Sequence, residues 1–278
     1  MTTIVDEKLM FITPAFVSGA DQNVPEIRAT TIRGALRWWF RAIGGRAEDE
    51  TEVFGGVHGN VRSSAIVVRT ELIDWKRGEA ITFSPTSDKG YVYYFASKSG
   101  NDKGIHRTES GHYLAAGTTF RLIVSMRSAI SAEQRELLDL SLQLFLAFGA
   151  IGLRATRGCG AFARAVCPSR ESPREMVHKL PTKKFLVGLA SDETPPESGI
   201  KCQEVLANFL RNLRSQTHSS GKSRSAFGFS DGRTRESSAL RLRPVKTQEG
   251  YLPVAIYTDA ACNQRSQWNV IASAIKEI

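Results

Sequence analysis

The sequence predicts an α+β fold built from two ferredoxin-like (RRM-like) units. Three observations predict it. A length of 278 residues admits two domains of about 100–150 residues each. Residues 7–167 read in the order strand, helix, strand, strand, helix, strand, the split βαβ arrangement that also underlies many RNA-binding modules. After a proline-bearing stretch at 168–181, a fainter copy of that order follows.

Taken in order, residues 7–13 (EKLMFIT) read as a first strand ended by Pro14, with a loop at 19–25. TTIRGALRWWFRAIGG reads as a helix that Thr30 or Thr31 can cap and Gly44 or Gly45 can end. The β-branched alternation of residues 64–74 reads as a strand, as does 118–126. Between them, residues 75–117 form an insertion, with a strand expected at 91–96 and a polar, glycine-rich loop at 98–111. Ser131, with Gln134 three residues on, makes a capping box. It opens a second helix buried through Leu137, Leu138, Leu144, Phe145 and Phe148. A glycine-rich turn at 149–160 leads to a strand at 161–167, completing a first domain over 1–168. Residues 168–181 read as a linker. The second domain, 182–278, has a strand at 185–189, a helix at 204–214, strands near Leu240 and Val254, and a helix from Gln267.

Hydrophobic residues at 41% and charged residues at 23% exclude a disordered or fibrous chain. The longest uncharged apolar stretch, 140–153, contains Ser141 and Gln143 and is too short to cross a bilayer. MTTIVDEKLMF lacks a basic region followed by an apolar run, so no secretory signal and no membrane partner are expected, and the expected location is cytoplasmic. Cys159, Cys167, Cys202 and Cys262 contain no close pair of the kind zinc sites use. They are expected to be reduced and mostly buried, and no metal or cofactor is expected.

Thirty-seven Lys and Arg against 28 Asp and Glu leave a net charge of +9, which favours a polyanionic partner. The charge is concentrated. Residues 28–46 hold five arginines and no acid, and residues 211–243 hold eight basic residues against Asp231 and Glu236.

Three features follow from that concentration. On the first helix, Ile32, Leu36, Trp39 and Ile43 make a buried stripe, while Arg33, Arg37 and Arg41 recur every fourth residue on a neighbouring one. Trp38 can stand beside those arginines. Like charges at this spacing weaken an isolated helix, so the stripe makes sense facing an anion, the alternative being a solvated face whose stems cover apolar surface. Backbone amides near Thr31 and Ile32 can add to an anion site. The second feature, GAIGLRATRGCGAF, carries Arg154 and Arg157 among four glycines. It lacks the Lys-Ser/Thr ending of a phosphate-binding P-loop and follows a helix rather than a strand, so neither nucleotide-binding motif fits. What remains is a backbone able to approach a ligand, or a helix end followed by an irregular turn. The third, SGKSRSAFGFSDGRTRESSALRLRP, interleaves Lys222, Arg224, Arg235, Arg241 and Arg243 with Phe227 and Phe229, the charge and stacking surface that single-stranded nucleic acid uses. A solvated loop is the alternative there.

Catalytic constellations are absent from the sequence: no nucleophile elbow, no His-Glu-x-x-His, and five scattered histidines. Asp21, in the loop after the first strand, is the one acid singled out, an ordinary turn residue being the other reading.

Together, TPAFVSGADQ…EIRATTIRGALRWWFRAI, EVFGGVHG, FGAIGLRATRGCGAF and AFGF…RESSALRLRP, in that order, resemble the RAMP superfamily. Within it they look most like the family that forms the first subunit of the Cmr complex, the CRISPR type III-B effector. The resemblance implies two ferredoxin-like units in a non-catalytic subunit of antiviral defence that holds guide (CRISPR) RNA near its 3′ end and helps capture target RNA. Its implied partners are those two RNAs and other RAMP subunits, especially the repeated backbone subunit. In the family that backbone subunit cuts target RNA with an Asp in the loop after its first strand. Asp21 lies in the comparable loop, which keeps a RAMP-type endoribonuclease as the alternative. The expected RNA contacts are Arg33, Arg37, Trp38, Arg41, Arg154, Arg157, Lys222, Arg224, Phe227 and Arg235. Residues 235–239 read RESSA, where the family more often has a proline after the serine.

Overall fold

The computed structural model describes residues 1–57, 61–96, 105–169, 171–178, 185–190, 195–216, 229–230, 235–236, 238–258 and 268–277. In chain order the first half holds β1 (Thr2–Phe11), α1 (Ala29–Ala42), α2 (Ala47–Phe54), β2 (Ile66–Asp74), β3 (Thr82–Phe83), α3 (Asp88–Tyr93), a 3-10 turn (Tyr94–Ala96), β4 (His106–Arg107), β5 (Thr119–Met126), α4 (Ala132–Phe148) and β6 (Phe162–Arg164). The second half holds α5 (Glu171–His178), β7 (Phe185–Leu189), α6 (Gly199–Gln216), β8 (Phe229–Ser230), β9 (Arg235–Glu236), β10 (Arg241–Thr247), β11 (Gly250–Thr258), α7 (Trp268–Ala274) and β12 (Lys276–Glu277).

Two four-stranded sheets dominate. The first runs β2-β5-β1-β6 and the second β10-β11-β7-β12, every neighbouring pair antiparallel. In each, the chain goes from one inner strand through a helix to the far edge, returns antiparallel along the other inner strand (after residues 75–118 in the first sheet, by a hairpin in the second), and reaches the opposite edge through a second helix. The second half thus repeats the topology of the first.

Local chemistry explains most boundaries. Gly44 takes φ +106°, and the Gly44 and Gly45 amides donate to the carbonyls of Arg41 and Phe40, closing α1 in a Schellman turn. At the start of α4 the Gln134 amide donates to Ser131 Oγ at 3.2 Å, and the Ser131 amide donates back to Gln134 Oε1 at 3.0 Å. That is the expected capping box.

Several expectations are corrected. β1 begins five residues before residue 7, because Thr2 already pairs with Met126 of β5. α1 is preceded by Arg28, with no side-chain cap from Thr30 or Thr31. Residues 91–96 are helical, not a strand: Ser87 Oγ accepts the Gly90 amide at 3.0 Å and nucleates α3, which continues into the 3-10 turn. The linker contains α5, whose Pro173 falls in the first turn, where no amide donor is needed. α2 went unforeseen, although its acidic first turn, Glu48 to Glu50, is a helix-start signal.

Successive side chains of the second sheet join two different apolar clusters, which shows how the layers stack. Val187, Leu189, Val245, Val254 and Ile256 join the same apolar cluster as β1, β5, α1 and α4. Leu242, Ala255 and Tyr257 point the other way, against Cys202, Leu206 and Leu210 of α6. Helices α1 and α4 are therefore enclosed between two sheets, and the two halves share one core.

Candidate nucleic-acid interface

On α1 the predicted apolar stripe is buried: Ile32, Leu36, Trp39 and Ile43 are all inside. The arginine stripe beside it is less open than its spacing suggests. α2 lies against it, and Glu50 accepts from Arg41 Nη1 at 3.1 and 3.0 Å through its two oxygens. Arg37 Nε lies 3.1 Å from the same carboxylate but is not aligned to donate to it, while the Arg37 Nη2 group donates to the Gly55 carbonyl. Arg46 Nε donates to Asp49 Oδ2 at 2.8 Å, and Gln134 Nε2 donates to Asp49 Oδ1 at 3.0 Å. The Arg46 bond, then the Gln134 bond, hold the Asp49 carboxyl below the usual range. Arg33 alone of the stripe has no hydrogen bond or ion pair among the described residues. The Thr31 and Ile32 amides, expected to be free for an anion, both donate to the Arg28 carbonyl, at 3.0 and 3.3 Å.

The glycine-rich turn is a packed junction, not an open cradle. Gly152, Gly158 and Gly160 all take positive φ. A Cβ on Gly160 would stand 2.0 Å from the Ile151 carbonyl oxygen, and one on Gly152 would stand 2.4 Å from that of Phe16. The turn is tied to the segment after β1 by the Gly160 amide, which donates to the Pro14 carbonyl at 2.8 Å. The Leu242 amide, donating to the Thr156 carbonyl at 3.1 Å, ties it to the second sheet.

Its two arginines turn inward, contrary to the expectation that they line an RNA surface. Arg154, at φ +63°, donates through Nε to the Val92 carbonyl at 2.8 Å and through Nη2 to the Tyr91 carbonyl, neutralising the C-terminal end of α3. Arg157 is 6% exposed, its Nη1 donating to Ser238 Oγ at 3.4 Å. Burial, then the cations of Arg214 and Arg154, push the Arg157 guanidinium down to about 9. Both residues sit where the turn meets α3 and the second sheet, so their donors meet carbonyls and hydroxyls of the chain itself.

β10 carries two arginines on one face, as its alternation predicts, but that face docks onto the first sheet's helices. Arg243 is 1% exposed. It donates through Nε to the Phe148 carbonyl at 2.7 Å, and through Nη1 to the Leu242 carbonyl at 2.8 Å and to the Ala155 carbonyl. Arg241 lies over Trp38, guanidinium carbon 3.5 Å from the ring centroid, and burial pushes it down to about 10. Trp38 in turn meets Trp39 edge-on at 5.0 Å. Both belong to the basic stretch read as a nucleic-acid surface, and alternation shows their shared face without showing what it meets.

Lys222, Arg224 and Phe227 lie outside the described residues, and Arg235 lies on β9. Asp21 is exposed and Oδ1 accepts the Asn23 amide at 2.8 Å, closing a turn. Cys159 and Cys202 are buried and Cys167 is partly so, while Cys262 lies outside the described residues. Burial raises the Cys159 thiol to about 12. Among the described residues no group of three potential metal ligands gathers, and no helix is long and apolar enough to cross a membrane.

A family model described as the RAMP superfamily matches residues 8–163. The CRISPR system Cmr subunit Cmr1-2 of Pyrococcus furiosus is 31% identical over 171 residues, covering 54% of this chain and 89% of that one. Cmr1-1 of the same organism is 31% identical over 151 residues, covering 50% of this chain and 41% of that one. The chain thus spans less than half the length of this second relative. Among solved structures, apo Cmr1 from Pyrococcus furiosus matches with a TM-score of 0.56 at 20% identity, over 91% of this chain and 87% of that one. A chain of the type III-B Cmr-beta complex bound to cognate target RNA matches with a TM-score of 0.61 at 11% identity, over 100% and 99%. At these identities the two structures bear on the fold alone.

Proposed function

The chain belongs to the RAMP superfamily, and from that premise we propose that it is a non-catalytic RNA-binding subunit of a type III-B (Cmr) effector. It holds guide RNA near its 3′ end, helps capture target RNA in antiviral defence, and works in the cytoplasm beside the repeated backbone subunit. Similarity to two Cmr1 subunits supports the assembly, and a chain of a Cmr complex bound to target RNA shares the fold. The strand order of both sheets supports reading them as ferredoxin-like units, one over 1–168 with its insertion at 75–117 and one over 182–278.

The observation that carries the reading is the pairing of Arg241 on β10 with Trp38 on α1, the helix that also carries the arginine stripe. Along α1, Arg33 has no acidic partner among the described residues and Arg37 and Arg41 share a single carboxylate, while Arg241 covers Trp38. Such side chains meet sugar-phosphate without reading bases, which suits a protein whose guides differ in sequence while their phosphates do not. Lys222, Arg224, Phe227 and Arg235 belong to the basic stretch of sequence that precedes β10. Trp38 or Phe227 supplies stacking. Arg154 and Arg157 contribute to this site as supports of the turn behind it.

The alternative, an endoribonuclease acting through Asp21, rests on the loop position of that residue; its closed turn supports a structural role instead. Labelled single-stranded RNA incubated with the full chain, wild type or Asp21→Asn, decides between them. Intact RNA with both proteins is the expected result. Cleavage by the wild type that disappears in Asp21→Asn overturns the non-catalytic reading.

A further inference from the structure

Arg241 is anomalous among the inward-facing arginines. Arg243, two residues along the same face, gives its donors to three carbonyls. Arg241 has no hydrogen bond and no ion pair among the described residues, and its Nε is shielded from solvent with no acceptor. Its one partner among the described residues is the Trp38 ring, 3.5 Å from the guanidinium carbon. A guanidinium's donors lie in its own plane, so stacking fixes that plane while leaving the donor fork unused. A cation–π contact is smaller than the cost of desolvating a charge, so an arginine kept here only to join the two sheets would be replaced to advantage by an apolar side chain. The residue is only half-buried, so an anion can reach it. Arg33, also without a side-chain partner among the described residues, lies on the same helix as Trp38.

We infer that Arg241, held flat on Trp38 where β10 meets α1, is the seat of one phosphate of bound single-stranded RNA. The ring orients the fork, two N–H groups meet the two non-bridging oxygens, and Arg33 on the same helix adds long-range attraction. The inference rests on the RNA-binding reading above and adds to it a residue and a pose.

The test compares wild type, Arg241→Met and Arg241→Lys as full chains, measuring affinity for a short single-stranded RNA across a salt series and the thermal midpoint of each protein. Arg241→Met is expected to bind RNA about tenfold or more weakly, with the log–log salt slope reduced by about 0.7, while its midpoint holds or rises. Arg241→Lys is expected to recover part of the affinity, since it keeps the charge and loses the fork. Unchanged affinity and slope in Arg241→Met overturn the seat and leave RNA binding by the chain standing. Weaker binding with an unchanged slope and a lowered midpoint assigns Arg241 to inter-sheet packing and overturns the seat as well. A wild type that binds no RNA overturns both readings.

Discussion

A guanidinium does whatever the acceptors around it allow, and the arginines of this chain sort by that rule. Arg154 and Arg243 both donate to the last carbonyls of a helix, those of α3 and α4, where a cation also opposes the negative end of the helix dipole. Arg37 and Arg41 lean on Glu50. Arg33 and Arg241 have no such acceptor among the described residues. Replacing Arg243 with alanine strands three buried carbonyl contacts and opens a cavity between α4 and the glycine-rich turn. The expected cost is about 3–5 kcal/mol, read by urea unfolding. A loss below about 1 kcal/mol would show that the pin is dispensable. The stripe at positions 33, 37 and 41 was legible from a 3.6-residue period, and so was the shared face of Arg241 and Arg243. What each meets was not, because a carbonyl acceptor has no sequence signature and is brought by tertiary contact. Glu50 was the exception: the acid run beginning at Glu48 stands directly after the arginines and could have been weighed against them.

The same distinction holds for elements. Those with local chemistry were readable: the capping box of α4, the glycine end of α1, the β-branched run of β2. α3 misled because Tyr91 to Ala96 is rich in aromatic residues that favour strands, while the deciding signal, Ser87 ahead of Asp88, lies upstream. The glycines at 149–160 were readable as a turn but not as a packed one. Gly158 shows why the packing matters. At φ +79° a Cβ would stand 2.8 Å from Pro244 Cδ on β10, so the residue admits both a left-handed backbone and a close approach of the second sheet. Gly158→Ala is expected to cost at least about 1–2 kcal/mol from the backbone alone. It should also weaken RNA binding, by shifting β10 and with it Arg241. Unfolding and RNA affinity measured on the same variant check this, and an unaffected stability would contradict the close approach.

At the scale of the molecule, the repeated topology was legible and the way its copies pack was not. The nearly continuous apolar run of β11 predicts two covered faces without saying that one of them covers α1 and α4. That packing places the Arg241–Trp38 pair at a junction supplied by both halves. It also takes Arg157 and Arg243 out of the charge a partner can meet. RNA affinity should therefore follow the exposed set, not the total. The measurement that tests this most directly is the salt dependence of RNA binding by the full chain. The expected result is affinity falling linearly on a log–log plot, with a slope of about 0.7 for each phosphate contacted, so that roughly two to four contacts give a slope of about 1.4–2.8. Binding that is absent at low salt, or that does not change with salt, would contradict an electrostatic hold on RNA by this protein.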